Sequence, residues 1–368
     1  MHKVLIISGT NIISGAEYVL GDYLNKTTFV NQFEIICSDN QEVKNFYKKF
    51  NIANLHESKF LNPVSALNNK VNLIKKFKNF LFAFFTFNKI LTNKDIKIVL
   101  GNNTGDIIYS LYSKKFGKIH FNYIHDIVEE NSFISKVILF FDKYVEKYIV
   151  VSNAVKNSLI NIGVNEEKIE IIYNGIEYNE NYLKKTINDT IVFGFVGNIE
   201  DRKNPLEFIE IVKKAKEVLP FEIEGRMVYG NILDNSLFNR LKKTIKENKL
   251  NIKLIGKIER EKMKNFYDEI NFLVLTSKKD PLPTVILESF NHGVPVIAKD
   301  VDGVPEMVIH KKNGFLYDKV ENINDILIEL LNCNYSLLQQ NANLLVKDKF
   351  NIKNKIEKLD NLLFKGMF

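Results

Sequence analysis

Two short apolar runs, Lys3–Ser8 (KVLIIS) and Ile191–Val196 (IVFGFV), each stop against a glycine, Gly9 and Gly197. A run of this kind reads as a strand buried on both faces, the sort that opens a parallel sheet. After each opening, strands and helical stretches alternate. A chain that starts such an alternation twice folds as two α/β units, each an open sheet with helices on both faces. The length agrees: 368 residues, at roughly 150 per domain, make two domains.

In the first half the pattern predicts strands at Phe33–Cys37, Ile96–Leu100, His120–Ile124 and Tyr148–Val151. Helices are expected from Ala16 to about Asn25 and over Val43–Phe50, Val71–Leu91, Ser132–Tyr144 and Asn153–Ile162, with Ser152 as an N-cap. The polar stretch Tyr173–Asp189 carries Asn-Gly and reads as a linker. In the second half strands are expected at Phe221–Val228, Ile252–Ile255, Phe272–Leu275 and Val294–Ala298. Its helices are expected at Leu206–Val218, Leu237–Asn248, Glu259–Glu269 and Thr284–Asn291. We therefore expect a doubly wound N-terminal domain over 1–175 and a second over 190–350. Residues 351–368 form a terminal helix that either half could receive, with the N-terminal domain the expected partner.

Composition narrows the function class. Hydrophobic residues are 45% and charged residues 26%, which excludes a disordered or collagen-like chain. Two cysteines, Cys37 and Cys333, cannot build a disulfide framework and fit a reducing cytoplasm. The most apolar stretch, Asn79–Asn88, is half of the roughly 20 residues that span a bilayer. The start, MHKVLIISGT, turns polar too soon for a signal peptide. A net charge of +7 permits an anionic partner, a phosphate or a membrane surface. No block of basic residues points to nucleic acid.

The densest cluster of chemistry lies between Leu275 and Glu306. A strand ends at Leu275, a loop with two prolines follows, and Pro283 leads into a helix at Thr284. The free amides of Thr284 and Val285 make an anion site suited to a diphosphate. Asp280 precedes that helix and Glu288 lies one turn into it, where a carboxylate can accept from sugar hydroxyls. On spacing alone, a solvated loop acid and a surface helix charge are the favoured explanation of the two residues, since carboxylates are usually exposed.

This stretch resembles the donor-site signature of the family 4 retaining glycosyltransferases, which have the GT-B fold. Asp280, seven residues, Glu288, then Gly293-Val-Pro-Val-Ile297 and Gly303-Val-Pro-Glu306 follow the family pattern. The resemblance implies two Rossmann-like domains facing each other across a cleft, with Glu288 on the nucleotide ribose and the first acid on the donor sugar. That first acid is Asp280 where Glu is usual, and Pro281 stands where Gly is common. Phe195–Pro205 is similar to the family segment whose Arg and Lys neutralise the diphosphate. Lys203 takes the Lys position, Asn198 replaces the Arg, and Arg202 is the compensating guanidinium. Ser14-Gly15-Ala16-Glu17 resembles the Gly-Gly-x-Glu loop, with Gly15 allowing close approach of the donor phosphate. Ile124-His125-Asp126 resembles a His-Asp pair that contacts donor sugar or acceptor, with Asp126 orienting His125 or capping the next turn.

The resemblance implies transfer of a sugar from a UDP- or GDP-sugar, with retention, to a glycan or lipid-linked acceptor in bacterial surface polysaccharide synthesis. It implies His125, Asp280 and Lys203 as catalytic, and Gly15, Arg202, Lys203, Pro283, Thr284, Val285 and Glu288 as donor-binding. No cofactor and no metal are expected; Asp300-Val-Asp302 fits a GT-B loop better than a metal motif. Two rivals stand beside this reading: another GT-B nucleotide-sugar enzyme such as an epimerase, and a non-catalytic glycosyltransferase-like subunit. Lys70–Lys89 joins a basic half to a Phe-rich half. It reads first as a helix packed on the sheet, and second as an interfacial helix. The expected location is cytoplasmic, with peripheral contact at the inner membrane face as the second reading.

Overall fold

The computed structural model describes residues 2–61 and 73–365. The chain divides into two compact units. One holds the residues up to Gly175 together with those from Ile352 onward; the other is Ile176–Asn351.

The first unit is built on seven parallel strands: β1 (Lys3–Ser8), β2 (Phe33–Cys37), β3 (Asn54–Glu57), β4 (Ile96–Gly101), β5 (Ile119–Ile124), β6 (Lys147–Val150) and β7 (Ile169–Ile171). Their order is β3-β2-β1-β4-β5-β6-β7, so the chain reverses direction across the sheet between β1 and β4. Six helices connect them: α1 (Gly15–Leu24), α2 (Gln41–Tyr47), α3 (Leu73–Leu91), α4 (Ser110–Lys115), α5 (Phe133–Phe141) and α6 (Asn153–Asn161). Val4 to Ile7 are fully buried, as a central strand covered on both faces requires. α3 packs Ala83, Phe87 and Leu91 against Leu5, Ile7 and Val99.

The second unit repeats the plan with six parallel strands. In chain order these are β8 (Thr190–Val196), β9 (Glu222–Val228), β10 (Ile252–Gly256), β11 (Phe272–Leu275), β12 (Val296–Lys299) and β13 (Gly314–Tyr317). The order is β10-β9-β8-β11-β12-β13, which reverses between β8 and β11. Its helices are α7 (Pro205–Val218), α8 (Asn235–Glu247), α9 (Met263–Glu269), α10 (Thr284–Asn291), α11 (Ile323–Leu331) and α12 (Tyr335–Asp348). A last helix, α13 (Ile352–Asp360), returns to the first unit. There Asp360 accepts hydrogen bonds from Tyr23 (2.7 Å) and Thr27 (2.8 Å).

Several boundaries move for identifiable reasons. The helix expected at Val43–Phe50 begins at Gln41, because the Asn40 side chain accepts the amides of Glu42 and Val43. The strand expected at Val294 begins at Val296. Gly293 takes the left-handed conformation (φ +63°) that stops α10, and Pro295 has no N–H to give a ladder. The expectation for Lys70–Asn72 lies outside the described residues.

The stretch read as a linker is pinned rather than loose. Asn179 donates its amide to Asn291 Oδ1 and its side-chain Nδ2 to the Asn291 carbonyl. The Gln339 side chain accepts the Lys185 amide and donates to the Lys185 carbonyl, and the Lys185 ammonium donates to the Tyr267 carbonyl at 2.7 Å.

Candidate active site

In an open parallel sheet, the place where strand order reverses leaves a crevice beyond the carboxyl ends of two neighbouring strands. In the second unit those strands are β8 and β11, and their outgoing loops are fastened together. Lys203 donates through Nζ to Asp280 Oδ2 at 2.6 Å, both side chains largely buried. Thr276 Oγ1 donates to the carbonyl oxygens of Lys203 (2.9 Å) and Asn204 (3.0 Å). The Lys278 amide donates to the Arg202 carbonyl at 2.8 Å. A third loop, after β12, joins through Asp302, whose Oδ2 accepts the Asp280 amide at 2.8 Å. Burial raises the Asp302 carboxyl above its usual range, opposed by that hydrogen bond.

Lys203 is presented by a short turn. Asn204 sits in the left-handed region (φ 49°) and is followed by Pro205 at the first position of α7. Arg202 points elsewhere: its guanidinium bonds Glu200 (3.2 Å) and the Lys279 carbonyl (3.4 Å), and it is about half exposed. Asn198, where the family pattern has arginine, accepts the Asn231 amide at 3.0 Å and so ties the loop after β8 to the one after β9.

α10 starts with Pro283 in the N-cap position and no side-chain cap, so its first turn keeps unsatisfied amides at Thr284 and Val285. Both residues are half-buried. Glu288 is half-buried too, and its Oε2 accepts from the hydroxyl of the buried Tyr267 at 2.9 Å. The Tyr267 phenol is pushed well above its ordinary pKa, by burial first and by Glu288 second. Asp280 and Glu288 are therefore not solvated surface charges.

The first unit carries a polar cluster at its own reversal point, between β1 and β4. Glu17, on α1, is fully buried; it accepts from the amide and hydroxyl of Ser14 (3.0 and 2.6 Å) and from Asn103 Nδ2 (3.3 Å). Asp106 is buried beside it and accepts the Asn103 amide at 3.1 Å. Burial, with Glu17 adding repulsion, raises Asp106 to about 8 against the hydrogen bonds from Gly9 and Asn103. Gly15 opens α1, and a Cβ there would meet nothing within 4 Å.

His125 follows β5, its ring 4.2 Å from that of Tyr123. Its Nε2 is buried without a partner among the described residues, as are both amide atoms of Asn102. Burial, reinforced by Lys355, lowers His125 to about 3, so it is a neutral ring at pH 7. Asp126 is exposed.

Among the described residues, no group of three or more His, Cys, Asp or Glu side chains could hold a metal ion, and no helix is long and apolar enough to cross a membrane. Sequence reasoning passed over Tyr267, Thr276, Asp106 and the partnership of Asp302 with Asp280. The Asp302 signal was present as Asp300-Val-Asp302, read as a GT-B loop with no partner assigned to Asp302; the others have no local signature.

Comparison with known proteins places these loops in context. The family described as Glycosyltransferase Family 4 matches residues 56–180, and the one described as Glycosyl transferases group 1 matches residues 179–345. An uncharacterized glycosyltransferase of Methanocaldococcus jannaschii is 28% identical over 281 residues, 69% of each chain. The UDP-Gal:alpha-D-GlcNAc-diphosphoundecaprenol alpha-1,3-galactosyltransferase of Escherichia coli is 26% identical over 216 residues, 54% of each chain. Among solved structures, Anabaena HepE in complex with UDP and glucose superimposes with a TM-score of 0.78 at 17% identity, covering 99% of both chains.

Proposed function

Since the chain belongs to the glycosyltransferases of GT-B fold, with a family 4 segment followed by a group 1 segment, we propose that it transfers a hexose from a UDP-sugar, with retention and without a metal, to a lipid-linked glycan acceptor. One observation carries this reading: Lys203 and Asp280 meet at 2.6 Å where the β8 and β11 loops are fastened at the strand-order reversal. A cation held by Asp280, just ahead of the uncapped start of α10, suits a diphosphate next to a sugar hydroxyl. The relative named for UDP-Gal and a diphosphoundecaprenol acceptor supports the donor and acceptor class. A role in surface polysaccharide synthesis, at the cytoplasmic side, follows from that acceptor class.

In this proposal the diphosphate lies against Lys203 and the amides of Thr284 and Val285, behind Pro283. Arg202 turns from Glu200 towards the same charge. Glu288, fixed by Tyr267, accepts from the ribose hydroxyls, and Asp280 accepts from the sugar. The bond from the anomeric carbon to the diphosphate breaks, and its electron pair stays on the phosphate oxygen. The acceptor oxygen attacks from the same face and its proton passes to that phosphate oxygen. Lys203 and the helix amides stabilise the developing negative charge, often the largest catalytic effect. The neutral His125 serves as a hydrogen-bonding group for the acceptor or the sugar, beside the Gly15 loop, and not as a cation.

A thermal-shift panel of UDP-, GDP-, ADP- and CMP-sugars tests the donor. The UDP-sugar should raise the melting temperature, since a ligand bound only by the native state stabilises it. Nucleotide release that depends on added acceptor should follow. No shift with any of the four would sink the donor assignment, and release without an acceptor would favour an epimerase- or hydrolase-like enzyme.

A further inference from the structure

One face of the first unit combines exposed aromatic rings with positive charge that nothing on the same helices offsets. The crossovers β4–α4–β5 and β5–α5–β6 step across the sheet in the same direction. Right-handed connections therefore put α4 and α5 on one face. α3 shares it, because Ala83 and Phe87 join Tyr109 and Tyr112 in one core cluster. α4 also abuts the turn Asp142–Tyr144 that ends α5.

α3 is apolar on two sides. Its inner side is buried; its outer side exposes Leu81, Phe82 and Phe85, the last 70% exposed. A helix covered by protein on one side needs no second apolar side. α5 repeats the feature, exposing Phe133, Leu139 and Phe140, the last 66% exposed. None of α3, α4 and α5 contains an aspartate or a glutamate, and every cation on them is lysine. Lys78, Lys114, Lys115 and Lys136 are exposed. Two of the ammonium groups lie over rings: Lys115 Nζ is 4.2 Å from the centroid of Phe84, and Lys143 Nζ is 5.7 Å from that of Phe140. Asp142, the acid next to Lys143, is already paired with Lys168 at 2.9 Å.

We propose that this face docks on an anionic lipid bilayer. Phe82, Phe85 and Phe140 enter the boundary between headgroups and acyl chains, and Lys78, Lys114, Lys115 and Lys143 meet anionic headgroups. Exposed apolar rings framed by lysine are the composition of an interfacial surface. Protein–protein interface cores are instead depleted in lysine and favour arginine. A second copy docked by two-fold symmetry would set these lysines against one another. The surface lies outside the donor site, so its behaviour is separable from the catalytic reading.

Co-sedimentation of the full chain with large unilamellar vesicles tests this, without nucleotide. Vesicles containing roughly one-third phosphatidylglycerol should bind at least about tenfold more tightly than pure phosphatidylcholine at low salt. Raising the salt from about 0.05 M to about 0.5 M should remove most of that preference. Phe85→Ser with Phe140→Ser should weaken binding at least about tenfold, with an unchanged melting temperature. Binding that ignores the lipid charge, or survives the double substitution, would overturn the proposal. So would failure to sediment with phosphatidylglycerol vesicles at low salt, whether the chain is then monomeric or self-associated.

Discussion

Lys203 and Asp280, 77 residues apart in sequence, are joined at 2.6 Å by a charge-assisted hydrogen bond that closes one loop of the second unit against another. The pair answers two questions about Asp280. Its carboxylate is one methylene shorter than the glutamate usual in the family pattern, and the side chain that holds it is the lysine we propose for the diphosphate. The same ammonium can therefore hold the acid in position and share the phosphate charge.

Breaking that pair should separate stability from catalysis. Lys203→Ala should lower turnover by about 10²-fold or more. It also leaves a buried carboxylate unpaired, which costs about 3 kcal/mol. Lys203→Met combined with Asp280→Asn should restore the melting temperature and leave turnover low. Recovery of turnover in the double variant would refute the assignment.

Tyr267 acts through Glu288. Tyr267→Phe removes the hydroxyl that bonds Oε2 and should weaken UDP-sugar binding by about tenfold, the lower end of the cost of a hydrogen bond to a charged group. Glu288→Gln should weaken binding further. Calorimetric titration with UDP reads both, and equal affinity across wild type and the two variants would exclude Glu288 from the nucleotide site.

Asp106 sets a pH dependence whose sign is fixed. Its folded value of about 8 stands above the unfolded carboxyl value of about 3.9. Between those values the folded chain binds more protons than the unfolded one. This contribution to stability is therefore full below about pH 3.9 and is lost as pH rises through 8. Asp106→Asn stays neutral and can still accept the Asn103 amide through its one carbonyl oxygen. The variant should melt at the same temperature as wild type near pH 4 and several degrees higher near pH 8. Parallel melting curves across that range would show that Asp106 is ionised in the fold.

Gly293→Ala should be among the more damaging single-methyl changes in the second unit. The residue is left-handed, and a Cβ there would collide with the ring of Tyr182. A loss of about 1–3 kcal/mol is expected from the backbone and the clash together. Adding Tyr182→Ala should recover only the steric part, and denaturant melts of the single and double variants measure the two shares.

The central strands were legible because a strand buried on both faces must be mostly apolar, with any buried charge paired as Glu34 is: β1, β2 and β11 stand residue for residue where the sequence puts them, and so does α10. β3 (NLHE) was invisible because it is a short, polar edge strand. α4 was missed because six residues hold too little periodicity to read. At the candidate donor site, Asp280, Glu288 and Lys203 could be named from their resemblance to the family pattern, but their partners could not. Tyr267 reaches Glu288, and Thr276 reaches Lys203, through the tertiary fold alone. Lys355 is the extreme case. Nothing in the lysine-rich tail marks the one lysine that is buried, donates to the Val19 carbonyl at 2.7 Å, and is lowered by burial to about 7.

The return of α13 governs how the protein can be made. Tyr23 and Thr27 leave the ribosome early, yet their partner Asp360 is translated 337 residues after Tyr23. A nascent first sheet must therefore persist without α13 while the strands of the second unit are synthesised. Vectorial synthesis thus makes the later sheet before the helix that completes the earlier unit.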